Sequence, residues 1–197
     1  LEAPDRETLE KLKATWGIRP QDIDDCLRDE RKCTVRKYRD HTFVVINDFN
    51  GEEENCRSIS SQEIHCFIGQ GYLITVHTGP MHELTEAMNS IGECLAAERP
   101  KTSGELFVRV SASIMEHNHE TIRRVGEELP VLDAQIKGGG LSEKTLRHVV
   151  PEIAEAIHTI SDLLAWEERV VTSLSEDQRL FGEKDPSLAL NPLKSRQ

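Results

Sequence analysis

Two adjacent carboxylates, Asp24 and Asp25, follow a proline in the stretch GIRPQDIDDCL at residues 17–27. Pro20 is typical of the first position of a helix, so both aspartates should lie on the first turns of a short helix. Mg²⁺ is usually held by one or two carboxylates together with several retained water molecules. The same aspartates could instead only solvate the helix and complement the positive end of its dipole. The spacing by itself leaves both interpretations open.

Three further pairs of side chains could bind a metal such as Zn²⁺: His65 with Cys66, His77 with His82, and His117 with His119. Neighbours on a strand point to opposite faces, so His65 and Cys66 should not share one ion. His117 and His119 are two residues apart on a predicted helix and point to different sides, which favours surface histidines. His77 and His82 flank a predicted strand-to-helix turn and could approach each other.

Sequence motifs of catalysis are not found. The chain contains no GxSxG, no HExxH and no glycine-rich phosphate loop that opens a helix, and the GQG at residues 69–71 is predicted to be a hairpin turn. We therefore expect a protein that is not an enzyme.

Length and charge narrow the class of partner. The chain has 197 residues, enough for one domain with a hydrophobic core, and a formal net charge of −11. A negative field of this size repels polyanions and attracts cations, so we expect no nucleic-acid partner, and we assign the basic residues between Arg28 and Arg39 to a solvated edge. The five cysteines show no CxxC spacing, which favours a reducing compartment.

Hydrophobic periodicity divides the chain into an αβ part at residues 1–100 and a helical part at 101–175. Two short helices precede three or four strands between residues 33 and 78, with a loop in FNGEEENCR. Three longer helices follow. The last two, from about Ser103 to Lys137 and from Ser142 to about Leu174, should form a long antiparallel hairpin turned by Gly138–Gly140. Residues 176–197 are predicted to be a polar tail, either the start of a stalk or disordered.

Three stretches, in this order and spacing, carry a family resemblance: residues 17–48, which include KCTVRKYRDHTFVVIND; FIGQGYLITVH at 67–77; and LPVLDAQI with LRHVVPEI on the helical hairpin. Over about residues 1–175 the chain resembles the cytosolic domain of the CorA family of divalent-cation transporters. The resemblance implies an α/β (α+β) fold: an αβα sandwich with a small, mostly antiparallel or mixed sheet, followed by the long helical hairpin.

The resemblance also implies a function, a sensor and gating domain for a Mg²⁺ or Co²⁺ transporter that is a homopentamer in the intact parent. An acidic residue at the position of Asp25 would face a carboxylate on the neighbouring subunit, with a divalent ion between them. Asp24, Asp25 and Asp177 are the expected metal ligands, and Glu183 and Asp185 are alternatives to Asp177.

The GMN pore signature and two membrane helices of that family do not occur in this sequence. We expect the chain to act at the cytoplasmic face of the inner (cell) membrane, attached through C-terminal helices outside this chain. Two alternatives stay open: the corresponding domain of a ZntB-like zinc transporter, and an αβ module that binds a protein partner and no ion.

Overall fold

The computed structural model describes residues 1–28, 34–52, 55–93, 99–140 and 142–182, together with residues 190 and 193. In chain order, the elements are α1 (Arg6–Trp16), α2 (Pro20–Cys26), β1 (Val35–Lys37), β2 (His41–Glu52), β3 (Asn55–Gly69), β4 (Tyr72–His77), α3 (His82–Glu93), α4 (Ser103–Lys137) and α5 (Glu143–Ser175), followed by a 3-10 turn at Gln178–Leu180.

Local sequence signals set the ends of the first two helices. The Asp5 side chain accepts a hydrogen bond of 2.8 Å from the backbone N–H of Thr8, which satisfies one of the free donors at the start of α1. Gly17 ends α1 in the left-handed conformation, with φ of 67°, which glycine adopts without a steric penalty. Pro20 opens α2, as its fixed φ and missing N–H predict.

The four strands form one antiparallel sheet in the order β1-β2-β3-β4. Gln70 and Gly71 connect β3 to β4, and Gly71 has a φ of 81°, so the predicted GQG turn is confirmed. The predicted loop in FNGEEENCR is shorter than expected, because β2 extends to Glu52 and β3 begins at Asn55. Glu53 and Glu54 lie outside the described residues.

Alternation along β2 builds two hydrophobic clusters on opposite faces of the sheet. Phe43 and Val45 pack with residues of α1 and α2, such as Leu9 and Ile23. The next residues along, at 44 and 46, face the other way and pack with α3, α4 and α5, which contribute side chains listed here by helix: Leu84 from α3, Phe107 and Ile114 from α4, and Val170 and Leu174 from α5. The sheet is therefore the middle layer of an αβα sandwich.

The two long helices form the predicted hairpin. Thr102 caps α4 and Ser142 caps α5, each through its side-chain oxygen, and Gly139 turns the chain with a φ of 70°. The start of α4 and the end of α5 pack on the sheet and so supply much of the third layer. Both helices continue through an internal proline, Pro130 in α4 and Pro151 in α5.

The described part of residues 176–197 is not a free polar segment. Leu180 and Phe181 are buried in the same cluster as α4 and α5, together with Leu190 and Leu193. Apolar residues at these four positions are diluted among polar ones in the sequence, which is why the segment was predicted to be a polar tail. In the structure the chain returns to the core after α5.

The predicted fold class is confirmed: the protein has an α+β fold, with an antiparallel sheet between helical layers and a long helical hairpin. Among the described residues, none of the helices combines the length and the apolar character that a membrane span requires.

Candidate metal centre

The three aspartates of α2 have different environments. Asp22 is fully buried, and its Oδ1 accepts hydrogen bonds from Arg36 and from the Tyr38 hydroxyl, the latter at 3.0 Å. Asp22 therefore does not face solvent as Asp24 and Asp25 do. Arg36 on β1 and Tyr38, the residue after that strand, supply a guanidinium and a phenol that stabilise this carboxylate in its buried position.

Asp24 and Asp25, the predicted ligands, stay accessible at the surface. The Asp25 side chain is 25% exposed and its Oδ2 pairs with Arg36, while the Asp24 side chain is 43% exposed and its Oδ1 lies 3.0 Å from Arg6. Burial alone would lower the pKa of Arg36, but its hydrogen bonds to Asp25 and Asp22 raise that pKa above its ordinary value. Among the described residues, no hydrogen bond reaches Oδ1 of Asp25 or Oδ2 of Asp24.

These aspartates lie at the mouth of a polar pocket of about 530 Å³ between α2 and the sheet. It is lined by Gln21, Asp24, Asp25, Arg28, Thr34, Arg36, Val45, Glu63 and His65. Three carboxylates and two guanidinium groups share this space. Carboxylates gathered at one pocket with free oxygens can take a cation, provided that it competes with the arginines or shares the carboxylates with them.

Glu63 and His65 enter the pocket from β3; Glu63 was not among the predicted ligands, and His65 was considered only together with Cys66. They are two residues apart, so they lie on the same face of the strand, and Glu63 Oε2 is 3.3 Å from His65 Nε2. The alternation in QEIHCFI was the signal that could have found them. Cys66 faces the opposite cluster, as predicted, and burial raises the pKa of its thiol.

Asp177 lies on the other face of the sheet from Asp24 and Asp25. It is 4% exposed, and its Oδ2 accepts hydrogen bonds from Thr42 at 3.0 Å and from Arg179 at 2.8 Å. Burial alone would raise the pKa of Asp177, but the hydrogen bonds from Arg179 and Thr42 hold that pKa below its ordinary value. Within one chain, Asp177 therefore does not join the aspartates of α2, and its role as a ligand stays a prediction. Glu183 and Asp185 lie outside the described residues.

The histidines predicted to lie at the surface of α4 are half-buried, because each finds a carboxylate on a neighbouring element. His117 Nδ1 lies 2.8 Å from Asp48 Oδ1, and His119 Nε2 lies 3.5 Å from Glu167 Oε2. The two rings do point to different sides of the helix, as their spacing predicts.

His77 and His82 have separate partners. The His77 ring is buried, and its Nδ1 lies 2.6 Å from the carbonyl oxygen of Gly79. His82 is exposed and lies near Glu83 and Glu86 on its own helix. The structure thus gives no shared contact for this pair.

A family model described as CorA-like Mg²⁺ transporter protein matches residues 1–194. A search of curated proteins gives no significant match.

Solved structures share the fold at low sequence identity. The CorA magnesium transporter from Methanocaldococcus jannaschii matches 99% of this chain with a TM-score of 0.77 and 16% identity. The cytoplasmic domain of ZntB from Vibrio parahaemolyticus matches 98% of this chain with a TM-score of 0.66 and 16% identity, over 76% of that chain. This chain spans 60% of the length of the complete M. jannaschii transporter and 76% of its separately solved soluble domain.

Proposed function

We propose, from the premise that this chain belongs to the family of CorA-like Mg²⁺ transporter proteins, that it is the cytosolic domain of such a transporter and senses Mg²⁺. It acts without catalysis, at the cytoplasmic face of the membrane. Co²⁺ is a second candidate for the ion. The pore belongs to a part of the parent protein outside this chain.

The observation that carries the proposal is the pair of accessible carboxylates, Asp24 and Asp25, each with one oxygen that has no hydrogen bond among the described residues. Their pocket already holds a third carboxylate, that of Glu63. Mg²⁺ keeps several of its water molecules, so two carboxylate oxygens on a surface helix suit it better than a closed cage.

The gating step proposed for the intact homopentamer is electrostatic. A divalent ion between Asp25 and a carboxylate of a neighbouring subunit, for which Asp177 is the candidate, holds the two chains together and the pore closed. Without the ion, two unit charges 4 Å apart repel by roughly 4 kcal/mol at an effective dielectric constant of about 20. A penalty of this size shifts a two-state interface strongly.

Limited proteolysis of this chain, with and without Mg²⁺, tests the ion-binding part. We expect Mg²⁺ to slow cleavage of the wild-type protein and to protect Asp25→Asn much less, because the variant offers one fewer anionic ligand. Asp133→Asn is the matched control, since Asp133 is also an exposed carboxylate paired with a cation, Lys137, on the distant hairpin. Its protection should equal that of the wild type.

Equal protection of Asp25→Asn and the wild type would contradict the sensing role of Asp25. Thermal unfolding without Mg²⁺ separates this role from loss of the Asp25–Arg36 ion pair, which would lower the melting temperature at every Mg²⁺ concentration.

A zinc transporter is the second candidate, supported by the shared fold with the ZntB cytoplasmic domain. Calorimetric titration with Mg²⁺, Co²⁺ and Zn²⁺ distinguishes the two. A magnesium sensor binds Mg²⁺ through Asp24 and Asp25, and Asp25→Asn weakens that binding. A preference for Zn²⁺ that depends on the same aspartates would favour the second candidate.

A further inference from the structure

A second group of potential metal ligands lies on the opposite side of the sheet from the α2 pocket. Asp48 lies late in β2, Glu83 in the first turn of α3, and His117 in the middle of α4. One ligand atom from each residue lies within 4.8 Å of the others. Residues separated by 35 and 34 positions in the sequence are thus brought to one point by the packing of α3 and α4 on β2.

The His117 ring lies between the two carboxylates, and only one of its two nitrogens can bind a given ion. His117 Nδ1 lies 2.8 Å from Asp48 Oδ1, and His117 Nε2 lies 3.7 Å from Glu83 Oε1. Ligands of a tetrahedral Zn²⁺ sit about 2.1 Å from the metal and therefore about 3.4 Å from one another. One ring nitrogen of His117 and one oxygen of each carboxylate already lie within 4.8 Å of one another, so these three atoms need to draw closer to reach that spacing.

Burial in this group suits a charged ligand set with one open side. The Asp48 side chain is 3% exposed, and buried carboxylates are in general either paired or bound to a metal. The side chains of His117 and Glu83 are 22% and 25% exposed, so an ion and a water molecule can reach the group from solvent. Three protein ligands and one water is a common coordination of Zn²⁺ in proteins.

The backbone around Asp48 is held in place by α4. The Asn118 side chain accepts a hydrogen bond of 2.8 Å from the N–H of Phe49 and donates one of 2.9 Å to the carbonyl oxygen of Asn47. These two bonds fix the strand on both sides of Asp48 relative to the helix that carries His117. Ligands held by rigid elements lose little freedom when they bind an ion.

We propose that Asp48, Glu83 and His117 bind a first-row transition-metal dication, with Zn²⁺ as the probe, and that the ion fastens α3 and α4 to β2. An imidazole nitrogen with two carboxylates suits Zn²⁺ or Co²⁺, whereas Mg²⁺ requires oxygen ligands. The site is separate from the α2 pocket and does not depend on the proposed function. The bound ion stabilises the end of the helical hairpin that packs on the sheet.

Calorimetric titration of Zn²⁺ into the protein, with Mg²⁺ in large excess, tests the proposal. We expect the wild type to bind one equivalent that Glu83→Gln and His117→Gln bind at least about tenfold more weakly, since loss of an outer partner alone costs tenfold or more. His158→Gln is the matched control, because His158 also lies near a carboxylate, Asp162, but on the exposed face of α5. Its Zn²⁺ affinity should not change.

Asp25→Asn separates this proposal from the function proposed above. It should weaken Mg²⁺ binding and leave Zn²⁺ binding unchanged. Zn²⁺ affinity that survives in Glu83→Gln overturns the proposal, and so does a wild type that binds no Zn²⁺. Zn²⁺ binding that is lost in Asp25→Asn but kept in Glu83→Gln assigns the ion to the α2 pocket and overturns it as well. Glu83 is only partly buried, so this variant keeps the test valid if His117→Gln fails to fold.

Discussion

Glu167, on α5, is a carboxylate buried without a hydrogen bond. It is fully buried, and neither side-chain oxygen has a hydrogen-bond partner among the described residues. An ionisable side chain, His119, lies beside it, with its Nε2 3.5 Å from Glu167 Oε2. Burial raises the pKa of Glu167 to about 7. The side chain is therefore largely protonated at pH 5 and largely ionised at pH 8.

The raised pKa predicts how the free energy of unfolding depends on pH. Between the ordinary value of 4.5 and about 7, the folded protein binds a proton that the unfolded chain has released, so stability falls as pH rises through this range. Glu167→Gln cannot ionise and should remove this loss. From pH 5 to pH 8, the variant should gain about 2 kcal/mol relative to the wild type in urea unfolding.

Glu168→Gln is the control for this measurement, because Glu168 is adjacent on the helix and exposed. It should track the wild type at both pH values. A pH dependence that is the same in Glu167→Gln and in the wild type would show that the carboxylate reaches solvent in the folded protein.

At the scale of elements, the start of α4 packs directly on the chain that follows α5. A Cβ atom built at Gly104 would lie 2.5 Å from the carbonyl oxygen of Leu180 and 2.9 Å from the Phe181 ring. The backbone of Leu180 cannot move aside as a flexible side chain can. Only glycine at position 104 therefore lets α4 come this close to it. The close contact at Gly104 thus holds Leu180 and Phe181 against the start of α4.

Gly104→Ala should destabilise the protein by about 1 to 3 kcal/mol, the usual cost of forcing an extra carbon into a packed site. Gly126→Ala, on the same helix, should be neutral or stabilising by up to about 1 kcal/mol, because nothing lies within 4 Å of its Cβ position and alanine favours helix. Urea unfolding measures both. Equal effects of the two substitutions would contradict the close packing at Gly104.

At the scale of the whole molecule, the helical hairpin is anchored at one end only. The buried cluster against the sheet includes α4 residues up to Met115 and α5 residues from Trp166 onward. Beyond it, the hairpin has buried residues that are not part of this cluster, such as Leu132, Val149 and Ala156. Val131 and Val150 are more than half exposed there. The end of the hairpin near the turn therefore buries less apolar surface per residue than the end that packs on the sheet.

Hydrogen exchange should follow this difference. Amides near the turn, in residues 126–137 and 143–155, should exchange faster than those in residues 106–115 and 166–174. The reason is that local opening of the hairpin near its turn breaks fewer buried contacts. Mass spectrometry of exchanged peptides measures this directly. Uniform protection along both helices would mean that the hairpin opens only when the whole protein unfolds.

The sequence by itself determined the elements and the candidate surface ligands. Caps, turn glycines and apolar stripes act between residues that are close in the chain, so the bounds of α1, α2, α4 and α5 were readable. Asp24 and Asp25 could likewise be placed on α2 because helix geometry alone fixes their position.

Only the tertiary structure decided which charges meet. Arg36 pairs with Asp22 and Asp25, Asp177 turns to Thr42 and Arg179, and His117 meets Asp48 and Glu83. Periodicity states which face of an element is apolar, but not which other element covers it. Partners tens of residues apart are set by how the helices pack on the sheet, and that packing gives each ionisable group its charge, its burial and the ions it can hold.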